Sequence, residues 1–203
     1  RSEDDRRWSL GVRVGIEVAR ALLGPTGIDA GPQISISHAA VDQLANDRLA
    51  ARLHEHLVTR TALRCEFNDR DEARAQQLRS RLRSSPRDAL LLVIRTDAWS
   101  ESPWCTEELL IAKSERVPIL TVLATTAGEP RASAYAGNHR TVHWQAGREW
   151  EVAGRCVQAW LQHHHFLAFG RAALELAGLP QDSTVLSRRP ELLDLSADPR
   201  AGA

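Results

Sequence analysis

Glu108 is the residue of this sequence whose position most needs a chemical explanation. It follows a helix start in which Ser102 can cap the helix and Pro103 fits the first position, where no amide donor is required. Residues three and four apart share one face of a helix, so Trp104, Glu108 and Ile111 should form a stripe. A carboxylate among apolar side chains is costly to desolvate unless it pairs with another group. Both a structural ion pair and a catalytic carboxylate fit this position.

A second group of candidate residues follows the predicted strands. In an open parallel sheet, ligands bind beyond the carboxyl ends of the strands. The residues expected there are Ser37, His38, the polar loop 68–70 that begins with Asn68, and Trp99. His38 suits a hydrogen bond that stabilises its loop as well as it suits a substrate contact. Trp99, together with Trp104, would supply aromatic walls for a flat ligand.

The run of His163, His164 and His165 does not predict a metal site. Neighbouring side chains on a helix point about 100° apart, so three consecutive histidines cannot converge on one ion. We therefore expect no metal in the site. The sequence also has no glycine-rich motif for cradling phosphates, so a bound dinucleotide would need a different kind of site.

The elements that must position these residues alternate between strands and helices. The predicted strands are Gln33–Ser37, Ala62–Phe67, Ala89–Thr96, Val117–Ala124 and Thr141–Trp144. The predicted helices are Val41–Thr59, a charged helix after residue 70, the helix of Glu108, Arg148–His165 and a further helix from Phe166. Such βα units predict an α/β fold, a doubly wound, mostly parallel five-stranded sheet of the flavodoxin-like type.

Three segments are expected along the chain. Residues 1–32 form an N-terminal extension and linker, whose apolar pattern fits a strand and a helix equally well. Residues 33–165 form the α/β domain, and residues 166–203 form a C-terminal helix and a tail that leads to a missing domain. The sequence contains no methionine, so we interpret it as a fragment of a longer protein.

The composition restricts the classes of partner. The 26 basic and 26 acidic residues balance, which argues against a general electrostatic grip on nucleic acid. No apolar run approaches the roughly 20 residues that span a bilayer, so no membrane contact is predicted. Three widely spaced cysteines fit reduced thiols in the cytoplasm.

Several fragments of the sequence, taken in order, resemble the motifs of a known protein family. They are ISISHAAVDQLA after the first strand, ALLLVIRTDAWSESPWCTEEL at the third strand and its helix, and VPILTVLA at the fourth strand. The most specific is Trp-Cys-x-x-Glu, which runs from Trp104 to Glu108. Together these fragments resemble the bacterial TIR (Toll/interleukin-1 receptor) domain, and the resemblance covers about residues 33–165.

The resemblance implies an NAD+ nucleosidase that cleaves the bond between nicotinamide and ribose, giving ADP-ribose or a cyclic ADP-ribose. In this family the catalytic glutamate is the last residue of the motif, here Glu108 and not Glu107. Substrate contacts would come from Ser37, His38 and Asn68, with NAD+ as the substrate and no cofactor. The resemblance further implies TIR–TIR self-association and a role in bacterial antiviral defence or cell death.

Two other readings stay open. The first is a non-enzymatic TIR adaptor that acts only through self-association, which the loop NDRDEARAQQ favours because it lacks the glycine usual in the family. The nucleosidase and the adaptor would differ in whether the pocket between Ser37, Trp99 and Glu108 is open and lined with polar groups. The second is a phosphorylation-dependent receiver, which shares the sheet topology. It would use Asp97 as phospho-acceptor, but the Ser-His pair after the first strand argues against it.

Overall fold

The fold was analysed in a computed structural model, which describes residues 2–23, 32–39, 48–61, 63–67, 78–80, 82, 88–125, 139–180, 183 and 185. The strands are β1 (Gln33–Ser37), β2 (Arg64–Glu66), β3 (Ala89–Arg95), β4 (Ile119–Leu123) and β5 (Arg140–His143). The helices are α1 (Glu3–Leu23), α2 (Leu49–Arg60), α3 (Pro103–Ser114) and α4 (Glu149–Leu176), with a 3₁₀ turn at Trp99–Glu101. Asn68 and most of the charged helix predicted after it lie outside the described residues.

The five strands form one parallel sheet in the order β2-β1-β3-β4-β5. This confirms the predicted α/β class and the flavodoxin-like winding. β1 has the predicted bounds, and the other strands are a few residues shorter or shifted by one residue. The register pairs Ser37 with Val93, so the carboxyl ends of β1 and β3 lie side by side. The loops that follow these two strands therefore meet at one edge of the sheet.

Helices cover both faces of the sheet, as double winding requires. Successive side chains on a strand point to opposite faces. One face presents Ile34, Leu92 and Val122 to a core that includes residues of α1, α2 and α4. The other presents Leu91 and Val93 to a second core that includes α3. β3 is covered on both faces, which explains its continuous apolar run. Each fully buried leucine contributes about 2 kcal/mol of stabilisation through burial of its apolar surface.

The N-terminal segment is a helix, which resolves the ambiguity between strand and helix. The buried face of α1 carries Val12, Ile16 and Ala19, which belong to the same core as the sheet. α1 packs closely against α4, because Gly154 of α4 leaves space for the ring of Trp8. The linker predicted after it lies mostly outside the described residues.

α4 is a single helix of 28 residues, so the prediction of two helices separated near residue 165 was wrong. The sequence changes composition there, but residues 155–169 include no proline and no glycine. His164 also contacts Trp160 one turn earlier, with ring centroids 4.9 Å apart, which favours continuation of the helix. The boundary placed at residue 165 therefore falls within α4. α2 begins at Leu49, and residues 41–47 of the helix predicted there lie outside the described part.

Candidate functional site

The start of α3 fixes the residues of the Trp-Cys-x-x-Glu motif in space. The Ser102 hydroxyl accepts a hydrogen bond from the Cys105 amide at 3.4 Å, and Pro103 occupies the first turn. This confirms the predicted cap and helix start. Because the helix follows β3 through a short 3₁₀ turn, its first turns lie near the carboxyl end of the sheet.

Glu108 is a buried carboxylate. Its side chain is 4% exposed, in a stripe with Ile111, which is 3% exposed, and Trp104, which is 37% exposed. The stripe is therefore covered around the carboxylate and open to solvent at the start of the helix. The stripe of Cys105, Leu109 and Ala112 is buried in the core between α3 and the sheet, as expected for packing residues.

Glu107, the adjacent carboxylate, has a different environment. Its side chain is 45% exposed and lies 3.9 Å from a guanidinium nitrogen of Arg79. A surface pair at this distance contributes little to stability. Two neighbouring glutamates of one helix therefore differ in burial, and Glu108 is the one with the environment of a functional or structural carboxylate.

Ser37 and Trp99 are brought together, as their positions after neighbouring strands predict. The Trp99 indole Nε1–H donates a hydrogen bond to the Ser37 hydroxyl oxygen at 3.4 Å. Both side chains are buried, at 0% and 1% exposure. This contact joins the end of β1 to the loop after β3. In addition, α3 contacts both β1 and β3, so Glu108 lies on the helix that covers this junction.

His38 packs against an aromatic ring. Its side chain is 2% exposed, and its ring stacks on Phe67, with the centroids 4.8 Å apart and an interplanar angle of 24°. Phe67 directly follows β2, so His38 links the loops after β1 and β2. This contact supports the loop-stabilising interpretation of His38. The structure describes no position for Asn68.

Arg95 is a charged residue that the sequence-based candidates did not include. Strand alternation from Leu91 and Val93 puts its side chain on the face of the sheet that α3 covers. Burial lowers the pKa of the Arg95 guanidinium, which nevertheless remains cationic at neutral pH. The signal in the sequence was an arginine that ends an otherwise apolar strand.

Hydroxyl groups complete this face of the sheet. Ile34 and Ile36 point to the opposite core, so Ser35 and Ser37 point toward α3, and Thr121 of β4 shares their face. Glu108 on α3, Arg95 on β3 and these hydroxyls thus belong to the side of the sheet that α3 covers.

The described residues offer little support for a metal site, a membrane-spanning helix or a receiver site. No group of three or more histidine, cysteine, aspartate or glutamate side chains in those ranges could hold a metal ion. None of the described helices has the length and apolar character needed to cross a membrane. A receiver site needs an acidic cluster after β1, and the described residues there, Ser37, His38 and Ala39, include no carboxylate.

Comparisons with known proteins add no family assignment. No protein-family model matches the chain, and a search of curated proteins gives no match.

Proposed function

We propose that this chain is a TIR-type NAD+ nucleosidase in which Glu108 is the catalytic carboxylate. The observation that carries the proposal is the 4% exposure of Glu108, on the helix that covers the junction of β1 and β3. Its place at the end of the Trp-Cys-x-x-Glu motif supports the same role. The hydrogen-bonded pair of Ser37 and Trp99 at this junction supports a site on the same edge of the sheet.

The reaction suits a single carboxylate. Nicotinamide leaves NAD+ as a neutral molecule because its ring nitrogen starts as a cationic pyridinium, so no acid needs to protonate the leaving group. This differs from an ordinary glycosidase, which uses two carboxyl groups. As the bond from ribose to nitrogen breaks, positive charge grows on the ribose. Glu108 would stabilise that charge and hydrogen-bond the ribose hydroxyls.

The hydrolytic product follows directly. Water attacks the anomeric carbon, the bonding electrons remain with nicotinamide, and one proton is released, giving ADP-ribose and nicotinamide. If a nitrogen of the substrate's own adenine attacks in place of water, the product is a cyclic ADP-ribose. The guanidinium of Arg95 is suited to the pyrophosphate, which carries negative charge. The proposed setting is a cytoplasmic defence or cell-death system, and the free thiols Cys65, Cys105 and Cys156 are compatible with that compartment.

The burial of Glu108 bears on how the reaction would be controlled. A dinucleotide reaches a carboxylate that is 4% exposed only after the covering groups move. We therefore expect activity to require self-association, with a second copy stabilising an open arrangement of the site. Turnover per protomer should rise with protein concentration, which a series of dilutions would measure.

Glu107 provides a matched control for the test of Glu108. The assay measures NAD+ loss at high protein concentration, followed by chromatographic separation of nicotinamide and the nucleotide products. Glu108→Gln keeps the shape of the side chain and removes its charge, and should reduce turnover by about a hundredfold or more. Glu107→Gln makes the same change on an exposed neighbour and should leave turnover within about twofold of the unsubstituted chain. Equal turnover in both variants would exclude Glu108 as the catalytic group.

The second candidate function is the non-enzymatic TIR adaptor. The observation that favours it is the burial of Ser37, Trp99 and Glu108, all at most 4% exposed, because buried side chains suit a structural role. In an adaptor, Glu108 would be a structural carboxylate. Glu108→Gln would then lower the free energy of unfolding, and neither the variant nor the unsubstituted chain would consume NAD+. The absence of NAD+ loss in every variant, even when the chains are fused to an oligomeric scaffold, would favour this function.

A further inference from the structure

A groove between strand β5 and the first turns of α4 contains a cluster of arginines. It encloses about 430 Å³, within the usual size range of small-molecule sites. Its charged and apolar lining residues are Arg140, Arg148, Glu151, Arg155, Leu120 and Val142. β5 pairs with β4 alone among the described strands, so the groove lies at an edge of the sheet.

The groove has more positive than negative charge. Glu151 lies 3.3 Å from Arg148 and 3.8 Å from Arg155, so one carboxylate is shared between two guanidinium groups. No side chain in the described ranges forms an ion pair with the guanidinium of Arg140. Glu149 is paired with Arg52 at 2.6 Å and does not line the groove. Three guanidinium charges against one carboxylate leave two positive charges on the lining.

This groove is separate from the candidate site at Glu108. Leu120 and Val122 belong to the core on the face of the sheet that α4 covers, whereas α3 covers the opposite face. A ligand in the groove therefore lies against α4, with the sheet between it and Glu108. None of the residues assigned to NAD+ cleavage lines the groove.

We propose that the groove binds an organic phosphate, with the phosphate group on the arginines and its organic part on Leu120 and Val142. Guanidinium groups recognise phosphate through paired N–H donors in a fixed plane. Two unneutralised positive charges match a phosphate dianion better than a single carboxylate. The apolar floor favours a ligand with a body larger than inorganic phosphate. Thr141 and Gln145 at the lining add hydrogen-bonding groups for that body.

The test uses calorimetric titration of the purified chain with defined probes. AMP and ribose 5-phosphate carry the phosphate on an organic body, adenosine lacks the phosphate, inorganic phosphate lacks the body, and succinate replaces phosphate with carboxylates. We expect AMP and ribose 5-phosphate to bind, and the other probes to bind at least about tenfold more weakly. Arg140→Gln should weaken binding of ribose 5-phosphate about tenfold or more, because one charge-assisted contact is lost.

Arg60→Gln is the matched control, because Arg60 is an exposed arginine at the end of α2 and does not line the groove. It should leave the affinity for ribose 5-phosphate unchanged. Both substitutions lie on the surface, and circular dichroism would verify that the variants remain folded. Failure of ribose 5-phosphate to bind, or equal affinity in the Arg140→Gln variant, would overturn the proposal. Equal binding of inorganic phosphate or succinate would overturn the assignment to an organic phosphate.

Discussion

The contact between α1 and α4 leads to a prediction about two glycines, one with a close neighbour and one with open space around it. A Cβ added at Gly154 would lie 2.3 Å from Cε3 and 2.8 Å from Cζ3 of Trp8, whereas ordinary contact begins at 3.4 Å. The indole would have to retreat by about 1 Å or leave its place against α4. Gly11, on an exposed face of α1, has nothing within 4 Å of an added Cβ. Gly154→Ala and Gly11→Ala therefore make the same substitution, but only Gly154→Ala creates a steric clash.

The expected sizes follow from two opposing terms. Alanine is favoured over glycine in a helix by up to about 1 kcal/mol, so Gly11→Ala should raise the free energy of unfolding by about that amount. Gly154→Ala gains the same term but loses about 1–3 kcal/mol through overpacking against Trp8. The loss includes the contact of the Arg155 guanidinium, which lies 5.0 Å from the Trp8 ring centroid. Gly154→Ala should therefore lower the free energy of unfolding by about 1 kcal/mol.

Thermal and denaturant unfolding of the two variants would measure the difference. About 2 kcal/mol between them corresponds to about 4–8 °C in Tm for a chain of this size. In a Trp8→Ala background the obstruction is removed, so Gly154→Ala should become stabilising. If Gly154→Ala stabilised the unsubstituted chain as much as Gly11→Ala does, the packing of α1 against α4 would be refuted.

Three further predictions concern side chains that are fully or partly buried. Burial and the neighbouring His164 lower the pKa of His163 from 6.5 to about 4, so the unfolded chain takes up a proton first as the pH falls. The free energy of unfolding should thus fall by about 1–2 kcal/mol between pH 6.5 and 4, after allowance for partial exposure. His163→Gln should make the free energy of unfolding depend less on pH in this range, and an unchanged pH dependence in the variant would contradict the prediction. Burial raises the pKa of Cys65 to about 12, and burial also raises the pKa of Cys156. Iodoacetamide should therefore label neither of these thiols at pH 8 until the chain is unfolded, and rapid labelling of either in the folded chain would refute this. Trp99→Phe removes the hydrogen bond to the Ser37 hydroxyl and should lower the free energy of unfolding in urea by about 1 kcal/mol. Trp99→Ala should lower it by more, because the whole ring is lost. Equal losses in the two variants would show that the hydrogen bond, and not the packing of the ring, determines the stabilisation.

The strands were predictable because their pattern is simple. A buried parallel strand needs apolar side chains on both faces, and the run at β3 meets that condition without exception until Arg95. The order of the loops then follows from the topology, which is why Ser37 and Trp99 could be expected near each other. Their hydrogen bond confirms this expectation. The contact of His38 with Phe67 was less accessible, since a ring stack depends on side-chain positions in two different loops.

The helix α1 shows why periodicity alone failed at the N-terminus. Its buried face holds Val12 and Ile16, at 1% and 3% exposure, at helical spacing. The exposed face also carries apolar residues, Leu10 and Val14, at 62% and 51% exposure. Apolar residues on both faces imitate the alternation of a strand, so the sequence was consistent with either structure. The burial of one face in the core and the packing against α4 distinguish them.

Arg155 connects the stability of α1 with the proposed phosphate groove. Its guanidinium lies over the Trp8 ring and within 3.8 Å of Glu151, and its side chain lines the groove. A displacement of Trp8 would therefore change the position of one of the three arginines, although α1 does not line the groove. Glu108 lies with α3 on the opposite face of the sheet and has no such connection to α1 among the contacts described. The packing of α1 should accordingly influence ligand affinity in the groove more strongly than any chemistry at Glu108.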